Sequence, residues 1–213
     1  MNKWLAGITG WSARSKQFAI IVAIVVGLDQ LSKYWAISRL THAFDAFGGE
    51  PGFGERLWRF LWLRHPGSSG PVSVLDNFWH FRYTENPGAA WSFLAWAPHW
   101  FRVPFLLAVA AAAMVFIVLY FRKTAPYQRT LHVALACVFG GAMGNFLDRL
   151  RLGYVIDFVE WHWFERATWP IFNVADAAIS IGVGLMILDM ILHKQPAPAT
   201  GSASGAAAKG KSA

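Results

Sequence analysis

Four long apolar stretches constrain what this chain can fold into more than any other feature. Residues 103–121 contain no charged side chain, and the other three stretches are mostly apolar: 18–28, 131–147 and 175–192. Each extends towards the roughly 20 residues that a membrane-spanning α-helix needs. With 55% hydrophobic residues and 12 Trp among 213 residues, the chain is too apolar for an ordinary soluble domain and too short for several domains. We therefore expect a membrane all-α protein with four transmembrane helices.

The first apolar stretch is predicted to be an uncleaved helix over residues 18–37. Basic residues precede it, as in a signal peptide, but the polar run that starts at Asp29 follows it in place of a small-residue cleavage site. We expect a single four-helix domain over residues 1–194. The tail at 195–213 contains mainly Pro, Ala, Gly, Ser and Lys, which cannot form a core, and it is predicted to be disordered.

The distribution of the +7 net charge indicates membrane topology and no nucleic-acid partner. Three segments carry basic residues and no acidic ones, namely 3–16, 122–129 and 194–211. Basic loops are retained in the cytoplasm. Both termini are therefore expected to be cytoplasmic, and the loops after helices one and three are expected to lie on the outer side.

The first outer segment, at about 38–101, is predicted to contain a small β-sheet. Residues 72–84 are rich in aromatic and β-branched side chains, as strands are, whereas Pro and Gly punctuate residues 43–70 and suggest an irregular insertion. Helix two is expected to start near Pro104, with proline in its first turn. The second outer loop, 148–172, is rich in Trp and Phe and is expected to lie at the headgroup level.

Helix three contains a small-residue face formed by Gly140, Gly141 and Gly144. Such a face permits close helix contact. We also expect these glycines, together with the uncharged helix two, to offer a lateral groove for acyl chains. Cys137 lies inside the same helix and is interpreted as a packing residue, since a lone cysteine forms no disulfide framework.

Two aspartates are the strongest candidates for chemistry. Asp176 stands at the start of helix four, and Asp157 lies nineteen residues earlier in the second outer loop. Taken singly, Asp176 can be a favourable charge at a helix N-terminus and Asp157 a hydrated loop residue. However, acidic groups near membrane depth are costly and are functional candidates. Further polar residues fall at the same predicted level: Asn145, Asp148, Arg149 and Asn173.

A carboxylate pair has a specific chemical use. Two carboxylates in one site do not easily both ionise, so one retains a proton while the other acts as a base towards water. Asn145, Asn173 and Arg149 are candidates to hydrogen-bond a substrate backbone or a developing oxyanion. Asp148 lies one helical turn from Asn145, so both are expected to face the same interior. The seven histidines are scattered without a His-Glu-x-x-His motif, and no metal or other cofactor is expected.

Four ordered blocks over about residues 17–193 give the chain a specific resemblance. They are Asp-Gln at 29–30 with Lys33, Asn-Pro-Gly-Ala-Ala-Trp-Ser-Phe at 86–93, Gly-Asn-Phe-Leu-Asp-Arg at 144–149 continuing to Asp-Phe at 157–158, and Phe-Asn-Val-Ala-Asp at 172–176. Their order and spacing resemble those of the lipoprotein signal peptidases (signal peptidase II), aspartic peptidases of the bacterial inner membrane. Two departures are a longer segment around 43–70 and Trp91 where phenylalanine is expected.

The resemblance implies a function and residue roles. Asp157 and Asp176 would form the catalytic dyad, with Asn145, Arg149 and Asn173 near the substrate. The residues that support the site would be Asp29, Lys33, Asn86 and Asp148. The implied reaction removes the signal peptide from a lipidated prolipoprotein immediately before its diacylglyceryl-modified cysteine. It would take place near the periplasmic face of a multi-pass protein that contacts membrane phospholipid and acts as a monomer.

Three other functions are each suggested by part of the sequence. A Ser/Lys peptidase would use Ser32 and Lys33, but adjacent helical residues diverge by about 100° and do not face each other. A proton-coupled transporter would use the acids of helices one and four as relay groups, yet four helices without an inverted repeat are few for a transport path. The third is a purely structural membrane scaffold. If uncleaved lipidated precursors accumulate when the protein is lost, the protein is a peptidase and neither a transporter nor a scaffold.

Overall fold

The computed structural model describes residues 13–45, 51–89 and 93–192. The predicted disordered tail at 195–213 and Trp91 lie outside the described residues. Five α-helices and four strands occur in the described part of the chain: α1 (Ala13–Leu40), α2 (Phe53–Trp62), β1 (Val72–Leu75), β2 (Trp79–Asn86), α3 (His99–Lys123), α4 (Arg129–Leu152), β3 (Val155–Trp163), β4 (Ala167–Thr168) and α5 (Val174–Leu192), with a short 3₁₀ turn at Phe164–Arg166.

Four of these helices, α1, α3, α4 and α5, are long and apolar enough to cross a membrane. The prediction of a four-helix membrane protein with a small sheet is therefore confirmed. The predicted start of helix two near Pro104 is wrong, because α3 begins at His99 and Pro104 lies one turn further in. The carbonyl of Pro98 accepts hydrogen bonds from the backbone N–H groups of Phe101 and Arg102, which closes the first turn ahead of Pro104.

Helix α4 packs closely against α1 and α5 through the predicted glycine face. A Cβ atom at Gly140 would lie 2.8 Å from Val25 of α1, and one at Gly141 would lie 2.3 Å from the carbonyl oxygen of Ala175 in α5. The contact prediction is thus confirmed, but the expected acyl-chain groove at these glycines is wrong. The space beside them is already filled by α1 and α5.

The small sheet is antiparallel with the order β1-β2-β3-β4, and its second half comes from the second outer loop. Asp157, which was interpreted as a loop residue, lies on β3 opposite Thr84 of β2. The strand continues the sheet because residues 155–158 are buried, so the backbone polar groups need partners from β2. The loop interpretation is therefore wrong for this residue.

The segment at 43–70, expected to be irregular, contains the amphipathic helix α2. Phe60 of α2 is buried in a core with Ile37 and Leu40 of α1 and with Ile156 and Phe158 of β3. An isolated bridge between Thr41 and Ser68 holds the two ends of the segment together at the end of α1. The described part of the insertion therefore packs against the end of α1 and the neighbouring strand β3.

Candidate active site

Asp157 is a buried carboxylate in the middle of the site. Only 2% of its surface is exposed, and β3 holds its backbone beside β2. Its Oδ1 accepts a hydrogen bond from Asn173 Nδ2 at 2.6 Å, and its Oδ2 accepts one from Asn86 Nδ2 at 3.0 Å. Burial raises the pKa of Asp157 to about 7, and the nearby charge of Asp176 acts in the same direction. This carboxyl therefore holds a proton far more readily than an exposed aspartate does.

Asp176 lies in the first turn of α5 and is only partly buried. Asn145 Nδ2 donates a hydrogen bond to its Oδ1 at 2.8 Å, and the backbone N–H of Asn173 donates to its Oδ2 at 3.2 Å. Asn173 Oδ1 in turn accepts from the backbone N–H of Asp176 at 3.0 Å, which completes a reciprocal cap at the helix start. The interpretation as a helix N-terminal charge is thus true of Asp176, but the cap also positions it in the site.

Asn173 connects the two aspartates. Its side-chain amide donates to Asp157, while its backbone N–H donates to Asp176. The residue before it, Phe172, forms an isolated bridge with Val159 of β3, and this bridge holds the start of α5 against the strand. Two elements separated along the chain therefore present their carboxylates to the same place.

A buried ion cluster lies behind the pair. Lys33 Nζ lies 2.9 Å from Asp29 Oδ2 and 2.8 Å from Asp148 Oδ2, and the side chains of all three residues are fully buried. Lys33 also donates to Asn145 Oδ1 at 3.2 Å, on the side of the amide opposite its bond to Asp176. The cluster thus orients Asn145 towards the site. Asn145 and Asp148 both contact Lys33, so the expectation that they face the same interior is confirmed.

Asp148 and Asp29 also link the helices to one another. Asp148 Oδ2 accepts from the backbone N–H of Ile156 at 3.2 Å, next to Asp157, and Asp29 Oδ1 accepts from the backbone N–H of Ala175 at 3.1 Å, next to Asp176. Both supporting acids therefore hold the backbone beside one member of the pair. Sequence reasoning missed Arg151, whose Nη2 lies 2.7 Å from Asp148 Oδ1. Its position three residues after Asp148 on a helix was an available signal.

Arg149 points from α4 to the segment after β2. Its Nη2 donates to the carbonyl oxygen of Gly88 at 2.6 Å, and Asn86 Oδ1 accepts from the N–H of Gly88 at 3.0 Å. The Nε atom of Arg149 is buried and has no hydrogen-bond partner within residues 13–45, 51–89 and 93–192. A buried N–H without a partner is a candidate donor to a substrate group. All nine predicted site residues therefore belong to one connected assembly.

Two further observations delimit the site. No group of three or more His, Cys, Asp or Glu side chains suited to a metal ion occurs in the described part of the chain, and the expectation that none is needed stays a prediction. A separate cavity of about 460 Å³ is lined by residues that include Glu85, Tyr154 and His99. Glu85 and its partner Ile156 lie on the opposite face of the sheet from Thr84 and Asp157, so this cavity, lined by Glu85, opens away from the Asp157 face.

The Ser/Lys alternative is not supported by the contacts. Ser32 Oγ donates to the backbone carbonyl of Asp29 at 2.8 Å, and Lys33 Nζ lies between two carboxylates. The lysine is thus held as a buried cation and does not contact the serine hydroxyl. It lacks the free amine that would activate a serine nucleophile.

Four spanning helices with a carboxylate pair where α5 meets the β-sheet define a class, the membrane-embedded aspartic peptidases. Within that class, the chain belongs to the signal peptidase II family, because the family model described as "Signal peptidase (SPase) II" matches residues 21–192. The resemblance predicted from the four sequence blocks is therefore confirmed. The protein is an aspartic peptidase of lipoprotein signal peptides.

Individual relatives agree with this assignment. The chain is 47% identical over 174 residues to a lipoprotein signal peptidase of Anaeromyxobacter sp. (strain Fw109-5), covering 80% of this chain and 82% of that protein. A lipoprotein signal peptidase of Syntrophus aciditrophicus (strain SB) is 37% identical, with coverage of 82% and 91%. A bacterial membrane enzyme solved by the in meso method at 2.3 Å resolution has a TM-score of 0.62 and 25% identity, covering 90% of this chain and 95% of that one.

Proposed function

We propose that Asp157 and Asp176 are the catalytic dyad and that cleavage falls immediately before the diacylglyceryl-modified cysteine of a lipidated prolipoprotein. The observation that supports this most is the position of Asn173, which hydrogen-bonds both carboxylates. A residue with this pair of contacts holds the two acids in a fixed relation without neutralising either. That relation is what shared-proton chemistry requires.

The two environments suggest different roles for the acids. Asp157 is buried and its pKa is raised to about 7, so it carries the proton, and the more exposed Asp176 is assigned as the base towards water. Asp176 takes a proton from water as the water oxygen bonds to the scissile carbonyl carbon, and Asp157 donates its proton to the carbonyl oxygen. Collapse of the tetrahedral intermediate returns that proton to Asp157 and breaks the C–N bond. The proton on Asp176 passes to the leaving amine.

Three side chains are proposed to assist the substrate. Arg149 has a buried Nε without a described partner and is the candidate donor to a substrate carbonyl. Asn145 and Asn173 orient the carboxylates through their amide groups and line the same site. Preorganised donors of this kind stabilise negative charge that develops in the transition state.

The orientation in the membrane is part of the proposal. The basic segments at 3–16, 122–129 and 194–211 favour cytoplasmic termini, so the sheet and the dyad lie near the periplasmic face of the bacterial inner membrane. Residues 1–194 form the peptidase domain, with 195–213 as a cytoplasmic tail. The protein is proposed to act as a monomer, in contact with phospholipid and without nucleic acid.

The test is replacement of each acid by its isosteric amide. Asp157→Asn and Asp176→Asn each keep the side-chain volume but cannot act as base or share the proton, so each is expected to abolish cleavage of a lipidated precursor peptide by the purified protein. Asp76→Asn is the matched control, since Asp76 is an exposed outer-side aspartate in the turn between β1 and β2. Its activity is expected to equal that of the parent.

Folding and function are separated by a second measurement. Each variant is purified and its thermal unfolding compared with that of the parent, because a dyad substitution is expected to leave the membrane-inserted fold intact. Parent-like turnover by either amide variant would remove that residue from the dyad. A chelator is expected to leave the parent's activity unchanged, since two carboxylates suffice to activate water.

A further inference from the structure

Helix α2 exposes a set of large apolar side chains that the peptidase site does not use. Phe53 is 78% exposed, Trp58 59%, Trp62 55% and Leu57 40%. Only Phe60 of this helix is buried in the core. Large apolar groups in one exposed patch indicate an interaction surface.

The exposed side chains share one face of the helix. At about 100° per residue, Phe53, Leu57, Trp58 and Trp62 fall within one half of the helix circumference, with Leu61 between them. Glu55, Arg56 and Arg59 occupy the other half. Around the helix, the apolar side chains start next to the buried Phe60 and extend over the exposed side. More apolar side chains are therefore present than the contact with the core uses. We name Phe53, Leu57, Trp58 and Trp62 the α2 apolar face.

The contacts of Phe60 define the level of α2 relative to the spanning helices. Its ring lies 5.4 Å from that of Tyr34 in α1, and the guanidinium carbon of Arg151 in α4 lies 4.8 Å from its centroid. Tyr34 is within the last two turns of α1, and Arg151 is within the last turn of α4. Helix α2 therefore lies where the spanning helices emerge, which is the level of the lipid headgroups.

Two arginines of α2 bind backbone carbonyls earlier in the insertion. Arg59 Nη1 donates to the carbonyl oxygen of Ala43 at 2.9 Å, and Arg56 Nε donates to that of Pro51 at 2.8 Å. These bonds leave the arginine side of α2 directed to the protein. The opposite side, with the apolar face, is directed outward.

We propose that α2 is an interfacial helix whose apolar face inserts into the outer leaflet of the bilayer. The occupant is phospholipid and not a protein partner, because α1 already exposes Leu28 and Leu31 to the same bilayer just below this level. Tryptophan and phenylalanine on one face and charged residues on the other form the composition that binds at the boundary between headgroups and acyl chains. The helix thereby fixes the depth of the outer sheet, independently of the catalytic chemistry.

Depth measurements by site-directed spin labelling test this directly. Cys137 is replaced by alanine, and a single nitroxide is attached at Leu57→Cys or at Glu55→Cys, which lies about 160° around the same helix. The full-length protein is placed in nanodiscs of phosphatidylethanolamine and phosphatidylglycerol, with the scaffold protein at the disc edge as the only other protein present. Collision rates with lipid-soluble oxygen and with a water-soluble nickel chelate are then compared.

The expected result is that oxygen relaxes the label at position 57 more strongly than the nickel chelate does, with the reverse order at position 55. A label at Phe53→Cys, which lies about 40° from Leu57 around the helix, is expected to behave like the one at position 57. Nickel access at positions 53 and 57 equal to that at position 55 would overturn the proposal and leave a protein partner as the occupant. Thermal unfolding of each labelled variant checks the fold, and no step of the test depends on peptidase activity.

Discussion

At the scale of single residues, the site depends on how differently two identical side chains are placed. Asp157 is buried on a strand, and Asp176 is partly exposed at a helix start. The amide groups of Asn86 and Asn173 bind the first, and those of Asn145 and the Asn173 backbone bind the second. The amides position both acids without adding a charge, so the pair can still share one proton.

A pH dependence follows from the raised pKa of Asp157. Below about pH 7 Asp157 keeps its proton, and as pH rises through about 7 it ionises and that proton is lost. We therefore expect log(kcat/KM) to fall above about pH 7, with a limiting slope of about −1 against pH. The measurement is a pH profile of kcat/KM on a lipidated precursor, with protein stability checked at each pH. A profile that stays flat between about pH 6 and 9 would contradict the assignment of the proton to Asp157.

A second prediction concerns Lys33. Replacing it by methionine leaves the buried carboxylates of Asp29 and Asp148 without their shared cation, and breaking a buried ion cluster in this way costs about 3–5 kcal/mol. We expect Lys33→Met to lower the thermal unfolding temperature of the purified protein markedly. Arg39→Met is the control, because Arg39 is exposed on the same helix. Equal unfolding temperatures for the two variants would show that the cluster adds nothing to stability.

At the scale of elements, the geometry of the proposed dyad depends on close contact between α4 and α5. The carbonyl oxygen of Ala175, the residue before Asp176, lies 2.3 Å from where a Cβ of Gly141 would stand. Glycine is therefore required at this crossing for α5 to approach far enough. The same contact sets where the first turn of α5 places its carboxylate.

This contact predicts the effect of Gly141→Ala. The added methyl would displace the start of α5 and Asp176 with it, and a misplacement of about 1 Å can cost about 100-fold in rate. We expect a loss of kcat of that order. Gly184→Ala is the control, since no atom lies within 4 Å of a Cβ there and alanine favours the helix by up to about 1 kcal/mol. Similar rates for both variants would mean that the α4/α5 crossing does not position the dyad.

At the scale of the whole molecule, the site lies where the spanning helices meet the β-sheet. Asp176 begins a spanning helix, and the neighbouring strand β3 presents Trp161 and Trp163 as exposed side chains. Aromatic residues of this kind mark the membrane interface. With the proposed dyad at this level, a substrate is expected to reach the headgroup boundary before its peptide bond meets the two aspartates.

The lipid on the substrate is expected to contribute to recognition for this reason. Acyl chains contribute about 0.8 kcal/mol per buried methylene and concentrate the adjoining peptide at the depth of the dyad. The same precursor without its diacylglyceryl group is expected to show a kcat/KM lower by at least about tenfold, which corresponds to about 1.4 kcal/mol. Both forms are compared in one bilayer preparation. Equal efficiency would remove the lipid as a recognition element and leave the aspartic chemistry unaffected.

The sequence by itself determined the four spanning helices and the polar residues of the site. Hydropathy is a local property, so the apolar stretches were visible without any knowledge of packing. The polar residues stood out because they interrupt apolar surroundings, and the ordered blocks from Asp29 to Asp176 indicated the family. The exact helix starts, such as that of α3 at His99, were not determined in this way.

Only the tertiary structure decided the burial of Asp157, the bridging position of Asn173 and the helix within the insertion. Burial on β3 depends on pairing with β2, whose partner residues lie some seventy positions away, as the contact between Asn86 and Asp157 shows. Helix α2 was obscured by the surrounding Pro and Gly, which mark turns locally but do not prevent a short helix between them. Strand pairing and helix crossing are interactions between distant segments, and no local pattern encodes them.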